Sequence, residues 1–166
     1  MGDTESMFNQ LIGYLKIQEE IIGRFITTGE EQLEALRNNN LEELDKTVCD
    51  QRSHGIKMEK IEQRRLLLQA SLEKVLCLEK GATLSMLIPF APDSLQSCLK
   101  DLLSNLNKKI GELKEINSLN SSLIKNTLLL NDKLINIFNP DKSITYDPNG
   151  GIESRTKKVS VLNRSI

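Results

Sequence analysis

A chain of 166 residues with 39% apolar content has room for one domain whose core is real but slender. Its net charge is −1, from 22 basic and 23 acidic side chains, both signs being interspersed along the helices, which gives no electrostatic case for nucleic-acid binding by the folded part. There is no Trp, aromatics make up 4%, and one His and three Cys without a Cys-x-x-Cys pair exclude a His-rich metal site, a zinc knuckle and a disulfide framework.

The N-terminus, Met-Gly-Asp-Thr-Glu, is acidic and lacks the apolar run of a secretory signal. A first helix is expected over about residues 4–36, with Thr4 as its cap. Phe8, Ile12, Leu15, Glu19, Ile22, Ile26, Gly29, Leu33 and Leu36 follow one another at alternating spacings of four and three, the repeat that keeps one stripe turned toward a partner helix. Asn38, Asn39 and Asn40 stop it, because Asn competes for backbone hydrogen bonds and tolerates left-handed conformations.

A second helix is expected over about residues 41–80, with Leu41, Leu44 and Val48 in its first part and Met58, Ile61, Leu68, Leu72, Val75 and Leu76 in its second. The polar stretch from Cys49 to Gly55 interrupts this pattern, and Gly costs about 1 kcal/mol against Ala inside a helix. A bend or loose packing is expected there, with His54 on the solvated side. Gly81 is expected to end the helix, and Thr83 to Ala91, framed by Pro89 and Pro92, to form a short linking helix. That apolar stretch is far below the roughly 20 residues a bilayer requires.

The third helix, expected over about residues 92–139, carries the strongest signal. Leu95, Leu99, Leu102, Leu106, Lys109, Leu113, Ile116, Asn120, Leu123, Thr127, Leu130, Leu134 and Ile137 hold the four-then-three spacing without a break, and ten of these thirteen are apolar where composition alone would place about five. The rod so defined is roughly 65 Å long at 1.5 Å per residue. Beyond Asn117 its apolar face widens: Ile124, Leu128, Ile135 and Phe138 form a second stripe beside the seam, with Leu129 on the other flank. Two readings fit: the broad stripe of any helix touching two neighbours, or a surplus surface that accepts an amphipathic helix from another protein. After Asn139 and Pro140 the periodicity ends, and residues 141–166, with five basic side chains against three acids, read as a flexible basic tail. The fold class is therefore all-α: an elongated, coiled-coil-like antiparallel three-helix bundle over residues 1–140 with a short linking helix.

Chemistry has little to work with in this chain. Ser53, His54, Gly55, Ile56 and Lys57 resemble the start of a histidine phosphotransfer motif, but Met58 stands where that motif requires Gly. The acidic runs Glu30-Glu31 and Glu42-Glu43-Asp45 read as solvated faces on which nothing converges. Binding rather than catalysis is expected, with no cofactor, no metal, no nucleic acid and no stable membrane insertion, in a reducing cytosol. A structural coiled-coil scaffold is the competing class, and pairing of two copies through the third helix stays open.

Three stretches then carry a family resemblance. Met58 to Leu66 forms a charged, Leu-containing run in the second helix, Asn117, Asn120, Leu123 and Ile124 fit an Asn-x-x-Asn-x-x-Leu-Leu/Ile pattern, and Thr145, Tyr146, Asp147 and Gly150 form a Thr-Tyr-Asp-x-x-Gly element. In this order the chain resembles the FlgN-like family of flagellar export chaperones from roughly Met7 to Leu162. The resemblance implies a cytoplasmic chaperone that holds hook-filament junction proteins by their terminal amphipathic segments, prevents premature assembly and delivers them to the export gate. It implies client contacts at Asn117, Asn120, Leu123, Ile124, Leu128, Leu130, Ile135 and Phe138. It further implies docking on the cytoplasmic domain of the export gate through Tyr146, Asp147 and Gly150.

Overall fold

The computed structural model describes residues 2–138, with side-chain environments from Asp3 to Ile135. They form α1 (Gly2–Arg37), α2 (Leu41–Val75), α3 (Leu84–Leu87) with a 3-10 turn at Ile88–Phe90, and α4 (Asp93–Phe138), with no strand among the described residues. The chain divides into two compact units, Met1–Leu123 and Ile124–Ile166. The expected tail, 141–166, and with it Tyr146, Asp147 and Gly150, lies outside the described residues.

Helix α1 starts ahead of Thr4, placing Asp3 and Glu5 in its first turn, where carboxylates face the positive end of the helix dipole. It ends as the Asn run predicts. Asn39 takes φ 52°, the Asn40 N–H donates to Ala35 O at 2.9 Å and the Asn39 N–H donates to Leu36 O at 3.4 Å, the paired bonds of a Schellman stop. Asn40 then caps α2, its Oδ1 accepting from the Glu43 N–H at 3.2 Å.

The second helix ends at Val75, not near residue 80. Cys77, at φ 54°, takes the left-handed position expected of Gly81, and Leu78 N–H closes the stop on Glu73 O at 2.9 Å. Gly81 lies further on, in the link, at φ 88°. Two buried side chains of α2 hold that link: Gln69 Nε2 donates to Ala82 O, and Glu73 Oε1 accepts from the Gly81 N–H at 3.1 Å. Leu87, Ile88, Ala82 and Ala91 then close that end of the core, which contains Phe8, Leu11, Leu72 and Leu99 with no accessible surface.

Within the first unit the non-apolar seam positions of α1 meet those of α4. Glu19 Oε1 lies 3.2 Å from Lys109 Nζ, and Asn120 Nδ2 donates to Gly29 O at 3.0 Å. Gly29 also allows close approach, since a Cβ there would fall 2.7 Å from Ile116 Cγ2. Pairs whose numbers rise together along both helices make α1 and α4 parallel within this unit. Contacts of α1 with α2 run the opposite way, from Gln18 to Glu62, Thr28 to His54 and Gln32 to Gln51. Polar groups at matched seam positions select this register, because any slip would bury them against hydrocarbon.

The face of α2 differs from the expected one. Leu41, Val48 and Val75 are exposed, whereas Thr47 is 1% exposed and Gln51 and His54 are half-buried. The helix runs unbroken through Cys49 to Gly55, and Leu44, Thr47, Gln51, His54, Met58, Ile61, Arg65, Leu68 and Leu72 carry the three-and-four spacing across it. Polar residues are tolerated in this seam because partners face them: Gln32 Oε1 accepts from Gln51 Nε2 at 3.1 Å and from Asn120 Nδ2 at 3.0 Å. Further along, Arg65 clasps Glu62 through two bonds of 2.6 and 2.7 Å and also donates to Gln69, while Gln18 donates to Glu62 at 2.6 Å. The hydrogen bonds from Arg65 hold the Glu62 carboxyl below the usual glutamate range, and burial only partly opposes them.

Candidate partner-binding face

Helix α4 sorts its own seam into two parts. Leu99, Leu102, Leu106 and Ile116 are buried, Leu95, Lys109, Leu113 and Leu123 are half-buried, and Asn120 is 4% exposed. Asn120 already reaches Gln32, five residues from the end of α1 at Arg37, so α1 has little more than one further turn to offer.

In the second unit, every residue from Ile124 to Ile135 is exposed. Ile124 is 40% accessible, Leu128 59%, Leu129 60%, Leu130 57%, Leu134 42% and Ile135 57%. Six of these twelve residues are thus exposed large hydrophobics, against six of thirty-five in α2 (Leu41, Val48, Ile56, Leu66, Leu67 and Val75). Scattered apolar side chains on a surface are ordinary, whereas a dense run at helical spacing marks an interaction site. On the helical wheel Lys125, Asn126, Asp132 and Lys133 share one side with Leu129, and Thr127 and Asn131 lie among the apolar residues of the other, so the segment is amphipathic with one exposed leucine on its polar side.

The residues expected to contact a client therefore divide. Ile124, Leu128, Leu130 and Ile135 are displayed, Asn117 is exposed and Leu123 is half-buried. Phe138 closes the helix, its side chain lying outside the described set. Asn120 departs from the expectation: its amide is inside the first unit and bonded to Gly29 and Gln32, with its Oδ1 buried and unpartnered. Leu119, Leu129 and Leu134, at 52%, 60% and 42% exposed, are displayed although the expected list omits them. The seam spacing already contained Leu134 and the widened face Leu129, while Leu119 stands three residues after Ile116 and four before Leu123.

His54 departs as well. It lies half-buried with its ring edge-on to Phe25 at 5.5 Å, Nε2 3.4 Å from Thr28 Oγ1, and Nδ1 buried without a partner. This is neither the solvated histidine expected from the sequence nor the exposed imidazole that phosphotransfer requires. Around it, Glu20, Arg24, Glu31, Asp50 and Lys109 line an open hollow of mixed charge. Among the described residues no three His, Cys, Asp or Glu side chains are grouped to hold a metal ion, and no helix is long and apolar enough to cross a membrane.

The family model described as "FlgN protein" matches residues 7–154 of this chain. No curated protein and no solved structure matches it.

Proposed function

This chain belongs to the FlgN family of flagellar export chaperones, and from that premise we propose that it is a cytoplasmic chaperone holding hook-filament junction proteins by their terminal amphipathic segments until the export gate receives them. The observation that carries this reading is the run Ile124, Leu128, Leu130, Leu134 and Ile135, all at least 40% exposed at helical spacing. An amphipathic client segment laid against it buries apolar surface on both partners at about 25 cal/mol per Å². Ordering the client opposes that gain, which keeps affinity moderate and release at the gate inexpensive. Asn117 flanks this surface, Phe138 extends it by sequence position, and Asn120 serves the bundle instead.

Leu128→Glu places a charge where the client must desolvate the helix. Calorimetric titration of the full chain with a purified junction protein is expected to show at least a hundredfold weaker binding, with helicity by circular dichroism unchanged. Unaltered affinity removes this surface from the reading.

Delivery is assigned to Tyr146, Asp147 and Gly150, a short signature beyond α4 in which the Tyr ring offers a compact amphipathic anchor. Tyr146→Ala is expected to lower export of junction proteins and capture of the gate's cytoplasmic domain while leaving client affinity unchanged. If client binding falls with it, holding and delivery are not separate.

A further inference from the structure

Resting on the client-binding reading above, we propose that before a client arrives the face displayed by Ile124–Ile135 is shielded by the same face of a second copy of this chain, paired antiparallel about a two-fold axis at Leu129. The two polar residues on the apolar side of the segment point to this occupant. Thr127 and Asn131 stand four apart, exposed among Ile124, Leu128, Leu130 and Leu134. Outward from Leu129 come Leu128 and Leu130, then Thr127 and Asn131, then Ile124 and Leu134. The displayed side of the wheel thus reads alike in both directions, as a surface must if it is to pair with itself about a two-fold axis.

Antiparallel pairing sets like against like. Ile124 falls opposite Leu134 of the second copy, Thr127 opposite its Asn131, and Leu128 and Leu130 each near their own counterparts on either side of the axis. The Asn131 amide donates to the Thr127 hydroxyl oxygen of the other copy, and the symmetry repeats the bond. Sliding one copy by seven residues sets Asn131 against Leu134 or Thr127 against Ile124, which leaves a polar group on hydrocarbon. Ile135 stands seven residues beyond Leu128 in the same row, at the margin of the pair. Leu129 lies on the far side of the wheel and stays in water, as single surface leucines commonly do.

Charge chooses the direction. Lys125 and Asp132 lie on the flank next to Leu128, and an antiparallel pair turns that flank toward itself, so each Lys125 meets the Asp132 of the other copy. A parallel pair would turn it toward the flank of Asn126 and Leu130 and align the two helix dipoles unfavourably. The contact is also short. Residues 124–135 rise about 18 Å, a length that falls short of the roughly 1,200–2,000 Å² buried by a standard stable interface. Self-pairing is therefore weak enough for a client to displace, and the apolar face is covered in both states.

Sedimentation equilibrium of the full chain is expected to show a reversible monomer–dimer equilibrium that a purified junction protein abolishes, leaving one chaperone per client. Leu134→Glu is expected to weaken self-association at least tenfold and Leu129→Glu to leave it unchanged, with circular dichroism checking that both stay helical. Lys125→Asp and Asp132→Lys are each expected to weaken it about threefold, and the two together to restore it. For direction, chains carrying Thr127→Cys are mixed with chains carrying Asn131→Cys and oxidised, and mass spectrometry of the linked peptides is expected to find Cys at 127 joined to Cys at 131 across copies. Each kind linked only to itself makes the pair parallel and overturns the proposal. So does a chain that is monomeric at every concentration, or a dimer that Leu134→Glu leaves intact; if the client still binds in these cases, the chaperone reading stands. A dimer that persists with saturating bound client overturns both, since the client then sits elsewhere. Self-pairing as described in a chain that no junction protein binds overturns the chaperone reading alone.

Discussion

Between Leu99 and Ile116 the seam of α4 is buried at Leu99, Leu102, Leu106 and Ile116 and half-buried at Lys109 and Leu113, while from Ile124 to Ile135 the same helix carries a denser set of Leu and Ile that stay at least 40% exposed. The four-and-three seam spacing is common to both stretches. What differs among the described residues is exposure: Leu99, Leu102, Leu106 and Ile116 are buried, and every residue from Ile124 to Ile135 is exposed. A periodic stripe therefore specifies that a helix forms and that one face seeks cover. It does not say whether the cover is in the same chain.

The sharpest way to break this comparison is to truncate one leucine in each stretch. Leu99→Ala removes a side chain with no accessible surface and is expected to cost about 2–5 kcal/mol in urea unfolding. Leu130→Ala is expected to stay within about 0.5 kcal/mol. Equal losses would mean that the second stretch is packed in solution.

Asn120→Ala tests the boundary between the stretches. It deletes two donated hydrogen bonds inside the first unit, with an expected loss of about 1–3 kcal/mol and unchanged client affinity. Impaired client binding in a folded variant would return Asn120 to the contact surface.

Close approach of α1 and α4 is probed by Gly29→Ala, whose new methyl would lie 2.7 Å from Ile116 Cγ2. Overpacking is expected to outweigh the helix preference for Ala and leave a net loss of about 1 kcal/mol. Gly23→Ala is the matched control: its methyl meets only the flexible end of Lys109 at 3.9 Å, and stabilisation of up to about 1 kcal/mol is expected.

The smallest effect belongs to Glu62. Arg65 depresses the folded-state pKa of this carboxyl, so its contribution is complete above the unfolded value and disappears as pH falls through the folded one. The stability difference between the parent and Glu62→Gln is expected to be flat from neutral pH to about pH 5 and to shrink below the ordinary glutamate range. Denaturation at stepped pH measures it, and a difference that grows on acidification contradicts the ion pair.

Legibility followed the apolar residues. The seams of α1 and α4 were readable because Phe8, Ile12, Leu15, Leu99, Leu102 and Leu106 bury alike in almost any bundle. The Asn stop at Asn39 was readable because its left-handed backbone is a local preference. The face of α2 was misread because Thr47, Gln51 and His54 look like surface residues until Gln32, Thr28 and Phe25 stand opposite them. Carrying the Met58 spacing back by fours and threes would have found them. The stop at Cys77 gave no sign, since a residue with a Cβ rarely takes the left-handed position; Glu73 and Gln69, which anchor the link just beyond, act across distance.

Local periodicity determined that the described residues fold as long helices, roughly where α1 and α4 lie, and that the apolar face of α4 widens toward its end. Tertiary structure decided which polar residues belong inside, and that Glu19 meets Lys109 and Gly29 meets Asn120. The reason is physical: hydrophobic burial is non-directional and can be read from each residue singly. A polar group is stable inside only when a particular partner arrives from another part of the chain.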